Sequence, residues 1–202
     1  EENKCGENSY WNIDSEGTLR ISGTGNIADY DAKKAPWFFC RASVKNVVLG
    51  EGIQGIGDYA FYGCENLHEV IMPGEVNSVW GSSFMYCPSL TRFIGPSASE
   101  DGRCLIGRRY RNILYAFASN GLTEYTFPDG IDQISDAACQ GHENLKKIII
   151  PESVVHIGDY AFAGCTSLET VVLSSQINRF FNAVFSGCTS LTTIENTQNI
   201  TD

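Results

Sequence analysis

The chain has 202 residues, enough for one large domain or two small ones with a sizeable core. Hydrophobic residues make up 43% and charged residues 19%, a globular balance that argues against disorder. The net charge of −10 disfavours nucleic-acid phosphates and anionic lipid, and no apolar run approaches the ~20 residues of a membrane-spanning helix.

The first predicted element is a β-hairpin. In "SYWNIDSEGTLRISGTG", Ser9 to Gly25, "YWNI" and "TLRISG" both alternate, and "DSEG" between them is turn chemistry. An aromatic cluster follows at Trp37, Phe38 and Phe39. Residues 1–43 therefore read as an N-terminal cap, the piece a stack of repeats needs to cover its first apolar end.

From Val44 the chain is periodic. Five blocks of 23 residues start at Val44, Leu67, Leu122, Leu145 and Leu168. The first reads "VKNVVLGEGIQGIGDYAFYGCEN" and the fourth "LKKIIIPESVVHIGDYAFAGCTS". A 32-residue copy starts at Leu90, and a last one at Leu191 stops after "LTTI". The apolar columns recur at block positions 1, 4, 6, 10 and 13, and in the phenylalanines Phe61, Phe84, Phe162 and Phe185. No block can bury its own apolar face, but a stack buries a continuous one. Positions 4 to 6 are β-branched or aromatic and lead into Pro73, Pro96, Pro128 and Pro151, which predicts a short strand. "DYAF" and "SSFM" predict a single helical or 3₁₀ turn. Strands ~4.8 Å apart give a sheet about 29 Å across seven coils. The long copy carries a second hairpin at about 97–120, with "RCLI" and "NILYAFA" as strands and "GRRYRN" as the loop.

The pattern Leu-x-x-Ile-x-Ile-Pro-x-x-Val-x-x-Ile-Gly-x-x-Ala-Phe-x-Gly-Cys resembles the BspA-like class of leucine-rich repeats, from Val44 to Ile194. Departures stand at Trp80, Cys139, His142 and Phe181, where local distortion of the coils is expected. The resemblance implies a right-handed leucine-rich-repeat solenoid with a parallel sheet and short helical turns. It also implies a bacterial surface or secreted protein, exported by a leader that this chain does not carry, with residues 44–202 as the repeat domain. The "W-x-I-D-x-x-G-T-L-x-I-S-G-T-G" and "ASEDGRCLI" segments are similar to elements of the same surface proteins.

The candidate chemistry is mostly structural. Cys64, Cys87, Cys165 and Cys188 share block position 21, one per coil, whereas a zinc site needs four ligands converging on one point. They read as core thiols, with His142 as a defect in the same column. Cys5 and Cys40 flank the cap, and whether they pair stays open. Cys104 and Cys139 read as buried. The histidines sit in no nucleophile motif, and Asp14, Asp29 and Asp31 miss the EF-hand spacing, so neither catalysis nor a cofactor or metal is indicated.

Two features point to binding. Block position 5, turned outward by strand alternation, is Val48, Ile71, Ile94, Thr126, Ile149 and Val172: either β-propensity alone or a contact stripe. The hairpin segment packs Arg103, Arg108, Arg109 and Arg111, half the arginines, into nine residues: either a solvated turn or a guanidinium site for carboxylate or sulfate. The reading is a non-catalytic binding or adhesion module for a host or microbial protein or glycan. The alternatives are a structural spacer, or a carbohydrate-capture accessory using Trp80 and Tyr110.

Overall fold

A computed structural model describes residues 3–196 and residue 200, so most of the polar tail lies outside the described residues. Strands β1 (Asn8–Ile13) and β2 (Thr18–Asn26) form the expected antiparallel hairpin. Its turn is closed by Asp14, whose carboxylate accepts the N–H groups of Glu16 and Thr18 at 3.0 and 2.9 Å. β2 is long enough to enter two sheets. Thr18–Ile21 pair in parallel with β3 (Asn46–Leu49), and Gly25–Asn26 pair with β4 (Ile53–Ile56). The hairpin thus supplies the first rung of the stack.

The 23-residue period sets the register of the first sheet. β3 pairs with β5 (Glu69–Ile71), and β5 with β7 (Arg92–Ile94), so that Val47, Val70 and Phe93 line up. A separate ladder joins β10 (Glu124–Thr126), β12 (Lys147–Ile149), β14 (Thr170–Val172) and β15 (Thr193–Glu195). Alternation puts position 4 inside: Val47, Val70, Phe93, Ile148 and Val171 are buried. Together the coils make a solenoid of about seven turns, with very little helix.

A second parallel sheet runs through positions 10 to 13, where no strand was anticipated. It comprises β4 and β6 (Ser78–Val79) in one part, and β11 (Gln133–Ile134) and β13 (His156–Ile157) in the other. The turns that follow are not helical except at Gly81–Phe84, which forms 3₁₀. The reason is backbone chirality. Tyr59, Ala137, Tyr160 and Ala183 sit at φ of +52 to +56°, and a left-handed residue interrupts any helical run. Ser82, at the same place in the second coil, does not, and there the 3₁₀ turn forms.

The inserted hairpin divides the solenoid. β8 (Cys104–Gly107) and β9 (Ile113–Phe117) pair antiparallel, and β9 also pairs with β11. Both strands are flanked by protein, and the hairpin sends side chains into two cores, with a register shift between Leu105 and Ile106. Leu105, Ala116 and Ala118 belong to the N-terminal core, while Cys104, Ile106, Leu114 and Phe117 belong to the C-terminal one. Gly107 is required here, because a Cβ would lie 2.3 Å from the Tyr115 ring.

Candidate functional site

The outward positions of the first sheet form two rows, not one. Val48, Ile71 and Ile94 are adjacent in register, and so are Thr126, Ile149 and Val172. Thr126 is exposed and the other five are half-buried by their neighbours. Between the rows lies the segment leading into the hairpin: Phe93 donates its N–H to the Gly102 carbonyl at 2.7 Å, so β7 has no strand partner on that edge. Asp101 accepts the Tyr125 hydroxyl at 2.8 Å across the same gap. Beside the first row, Arg92 Nε donates to Glu69 at 2.8 Å.

The four arginines are not brought together. Arg103 stands at the base of β8 and donates to the carbonyls of Ala118 and Asn120 at 3.1 and 2.9 Å. Arg108 donates to the carbonyls of Pro96 and Ala98. Arg109 lies over the Tyr110 ring, 5.1 Å from its centroid, and Tyr110 is 85% exposed. Arg111 is exposed. Only Arg109 and Arg111 present guanidinium groups at the tip without a carbonyl partner among the described residues.

The eight cysteines are free thiols, Cys5 and Cys40 included. The column does more than fill space. Cys87 donates to the Phe61 carbonyl at 3.1 Å, Cys165 to the Cys139 carbonyl at 3.2 Å, and Cys188 to the Phe162 carbonyl at 3.1 Å. Each thiol therefore ties its coil to the phenylalanine position of the coil before. Burial pushes Cys64 and Cys104 up to about 12, and Cys87 and Cys139 well above the usual thiol range. In the Cys165–Cys188 pair, hydrogen bonding lowers Cys188 and raises Cys165. Aspartates stitch the turns in the same way: Asp29 accepts the N–H of Asp58 at 2.9 Å, and Asp136 that of Asp159 at 2.8 Å.

Two concavities were not foreseen. One, of about 270 Å³, opens at the seam beside the insertion. His142 lies there, 2.6 Å from the Ser119 hydroxyl and edge-on to Phe117, and burial pushes its pKa down to about 4. Tyr86 lines the same pocket at φ +57°, where Gly63, Gly141, Gly164 and Gly187 stand in the other coils. The other, of about 520 Å³, runs over the second sheet beside Trp80. Its residues come from five stretches between Gly6 and Trp80, so no single motif announces it. Among the described residues no cluster of three or more His, Cys, Asp or Glu could hold a metal, and no helix is long and apolar enough to cross a membrane.

Stacked parallel rungs, a leucine-framed 23-residue coil and a phenylalanine column define a leucine-rich-repeat solenoid. The chain belongs to the BspA type leucine rich repeat family, whose repeat region matches residues 35–101 and 114–202 in six copies. Among solved structures it is similar to the leucine-rich repeat protein of T. pallidum, with 21% identity, 96% of this chain and 82% of that one covered, and a TM-score of 0.54. It is also similar to the pneumococcal vaccine antigen PcpA (10% identity, 98% and 80% covered, TM-score 0.41). A leucine rich cell surface protein of Faecalibacterium prausnitzii is a third (14% identity, 96% and 94% covered, TM-score 0.31). No curated protein matches the chain.

Proposed function

We propose that the chain is a non-catalytic recognition module, carried at a bacterial surface or secreted, that binds a host or microbial protein through the open face of its first sheet. The observation that carries this reading is the in-register row of Val48, Ile71 and Ile94, repeated beyond the insertion by Ile149 and Val172. Large apolar side chains kept half in water at five places in two ladders form a surface that gains free energy when a partner covers it. The polar rim supports the same reading: Asn46, Glu69 and Arg92 on one row, Glu124, Lys147 and Thr170 on the other, which is the apolar-centre, polar-edge layout of protein interfaces. Membership of the BspA family supports the surface placement.

The test is an array of extracellular-matrix and bacterial surface proteins probed with the wild-type chain, then with Ile71→Glu and Ile149→Glu. Both variants keep the buried position 4 intact and place a charge on the face. Binding that falls at least tenfold for either variant supports the face as the contact. Binding unchanged by both moves the contact elsewhere.

A further inference from the structure

The groove beside Trp80 lies on the other sheet and carries its own chemistry. Trp80 occupies the coil position held by Gly57 and Gly158 in two other coils, so the repeat itself has no need of an indole there. The ring is 58% exposed and has no aromatic or hydrogen-bonding partner among the described residues. Its backbone, at φ −83° and ψ 138°, is ordinary extended chain. An indole left in water at the rim of a concavity forgoes the burial that drives most tryptophans inside.

The groove floor is bare backbone. Gly25, Gly55 and Gly57 line it, and above Gly25 a Cβ would meet nothing within 4 Å. Gly55 lets the Asn26 amide lie flat against β4: a Cβ there would sit 2.6 Å from Asn26 Oδ1. The side chains of Asn8, Asn26, Gln54 and Ser78 face this space and make no hydrogen bond to any other described residue. They are planar amides and a hydroxyl, with donors and acceptors both unsatisfied by the protein. The charged groups on the lining are Glu7 and Asp29, and no Lys, Arg or His is among them.

An aromatic plate, several unpaired amides and an acidic rim fit one ligand class. A sugar ring offers a C–H face to the indole and adjacent hydroxyls to the amides. Phosphate, sulfate and sialic acid are disfavoured by Glu7 and Asp29, and by a chain of net charge −10. The volume of about 520 Å³ lies within the range of small-molecule clefts and exceeds what a lone ion or water cluster needs.

We propose that the groove formed by Gly25, Asn26, Gln54, Gly55, Ser78 and Trp80 binds a short neutral oligosaccharide, with one ring stacked on the Trp80 indole. This site is distinct from the sheet face and stands or falls separately from it.

The test is titration of the full chain with neutral glycans (mannan, galactan, glucan and N-acetylhexosamine oligosaccharides) beside sialylated and sulfated ones, up to millimolar concentration. Tryptophan emission reports the site in the wild-type chain, because Trp37 is buried and Trp11 partly so, while Trp80 is open to solvent; isothermal titration calorimetry measures the same glycans on the Trp80 variants, which lack the reporting indole. A saturable blue shift with at least one neutral oligosaccharide is expected. Trp80→Gly, which restores the residue found in other coils, should keep the melting temperature within a few degrees and weaken binding at least tenfold. Trp80→Phe should retain it within a few-fold, and Gln54→Ala, an exposed change, should weaken it several-fold. The proposal is overturned if no neutral glycan binds the wild-type chain, if only anionic glycans bind, or if Trp80→Gly binds as the wild type does.

Discussion

Truncating Phe162 to alanine tests whether the phenylalanine column is the structural spine. Phe162 is fully buried, stacks on Phe185 at 5.8 Å with rings 13° apart, and meets Phe127 at 6.2 Å. Removing the ring leaves a void of about 100 Å³, worth ~2.4 kcal/mol if the coil cannot collapse. The lost ring pairs add ~0.5–1.5 kcal/mol. The total of about 3–4 kcal/mol falls within the usual ~3–5 kcal/mol cost of Phe→Ala in a core. The carbonyl of residue 162 still accepts from Cys188, so the backbone rung survives and the loss is one of packing. Chemical denaturation followed by circular dichroism should show a lower midpoint with a slope near wild type. A loss under 1 kcal/mol would show that the stack does not depend on this column.

Further outcomes follow from the same geometry. Brief iodoacetamide labelling of the native chain, mapped by mass spectrometry, should modify Cys188 and Cys40 first and leave Cys64, Cys87, Cys104, Cys139 and Cys165 untouched until urea is added. Rapid labelling of Cys87 would refute the buried rung. His142, held at about 4 against an ordinary value of 6.5, binds its proton more readily in the unfolded chain. Its contribution is therefore complete above pH 6.5 and is lost as pH falls towards 4. The full difference is at most about 3 kcal/mol, and the partly open ring makes about 2 kcal/mol the expected value. His142→Gln should flatten the pH 7.5 to 4.5 stability profile by that amount, and an unchanged profile would contradict the buried neutral imidazole. Gly164→Ala, at φ +74°, should cost about 1–2 kcal/mol, whereas Tyr86→Gly at the equivalent place should shift stability by under about 1 kcal/mol, both read from denaturation midpoints.

The parts of the fold visible in the sequence are those written at fixed spacing. Leu67, Leu90, Leu145 and Leu168 mark the coil, and Val47, Val70 and Phe93 fix the register of the first sheet. The extra length after Leu90 marks the hairpin. The second sheet was not visible because strands such as Ser78–Val79 and His156–Ile157 are too short to show alternation. The arginine cluster was a feature of linear spacing. Arg103 and Arg108 flank the two ends of β8, about 16 Å apart along the chain, and backbone carbonyls occupy both. The thiol-to-carbonyl bonds span 26 residues, one coil plus three, and only the folded stack reveals them. The Trp80 groove draws on the hairpin and two coils, so its polar side chains carry no shared motif.

The most direct measurement is the affinity of a protein ligand, found by array, for the wild-type chain, Ile71→Glu, Ile149→Glu and Arg109→Ala. Recognition through the first sheet predicts at least a tenfold loss for one or both glutamate variants and little change for Arg109→Ala. Full binding by both glutamate variants, with loss on Arg109→Ala, would place recognition at the hairpin tip and contradict the account.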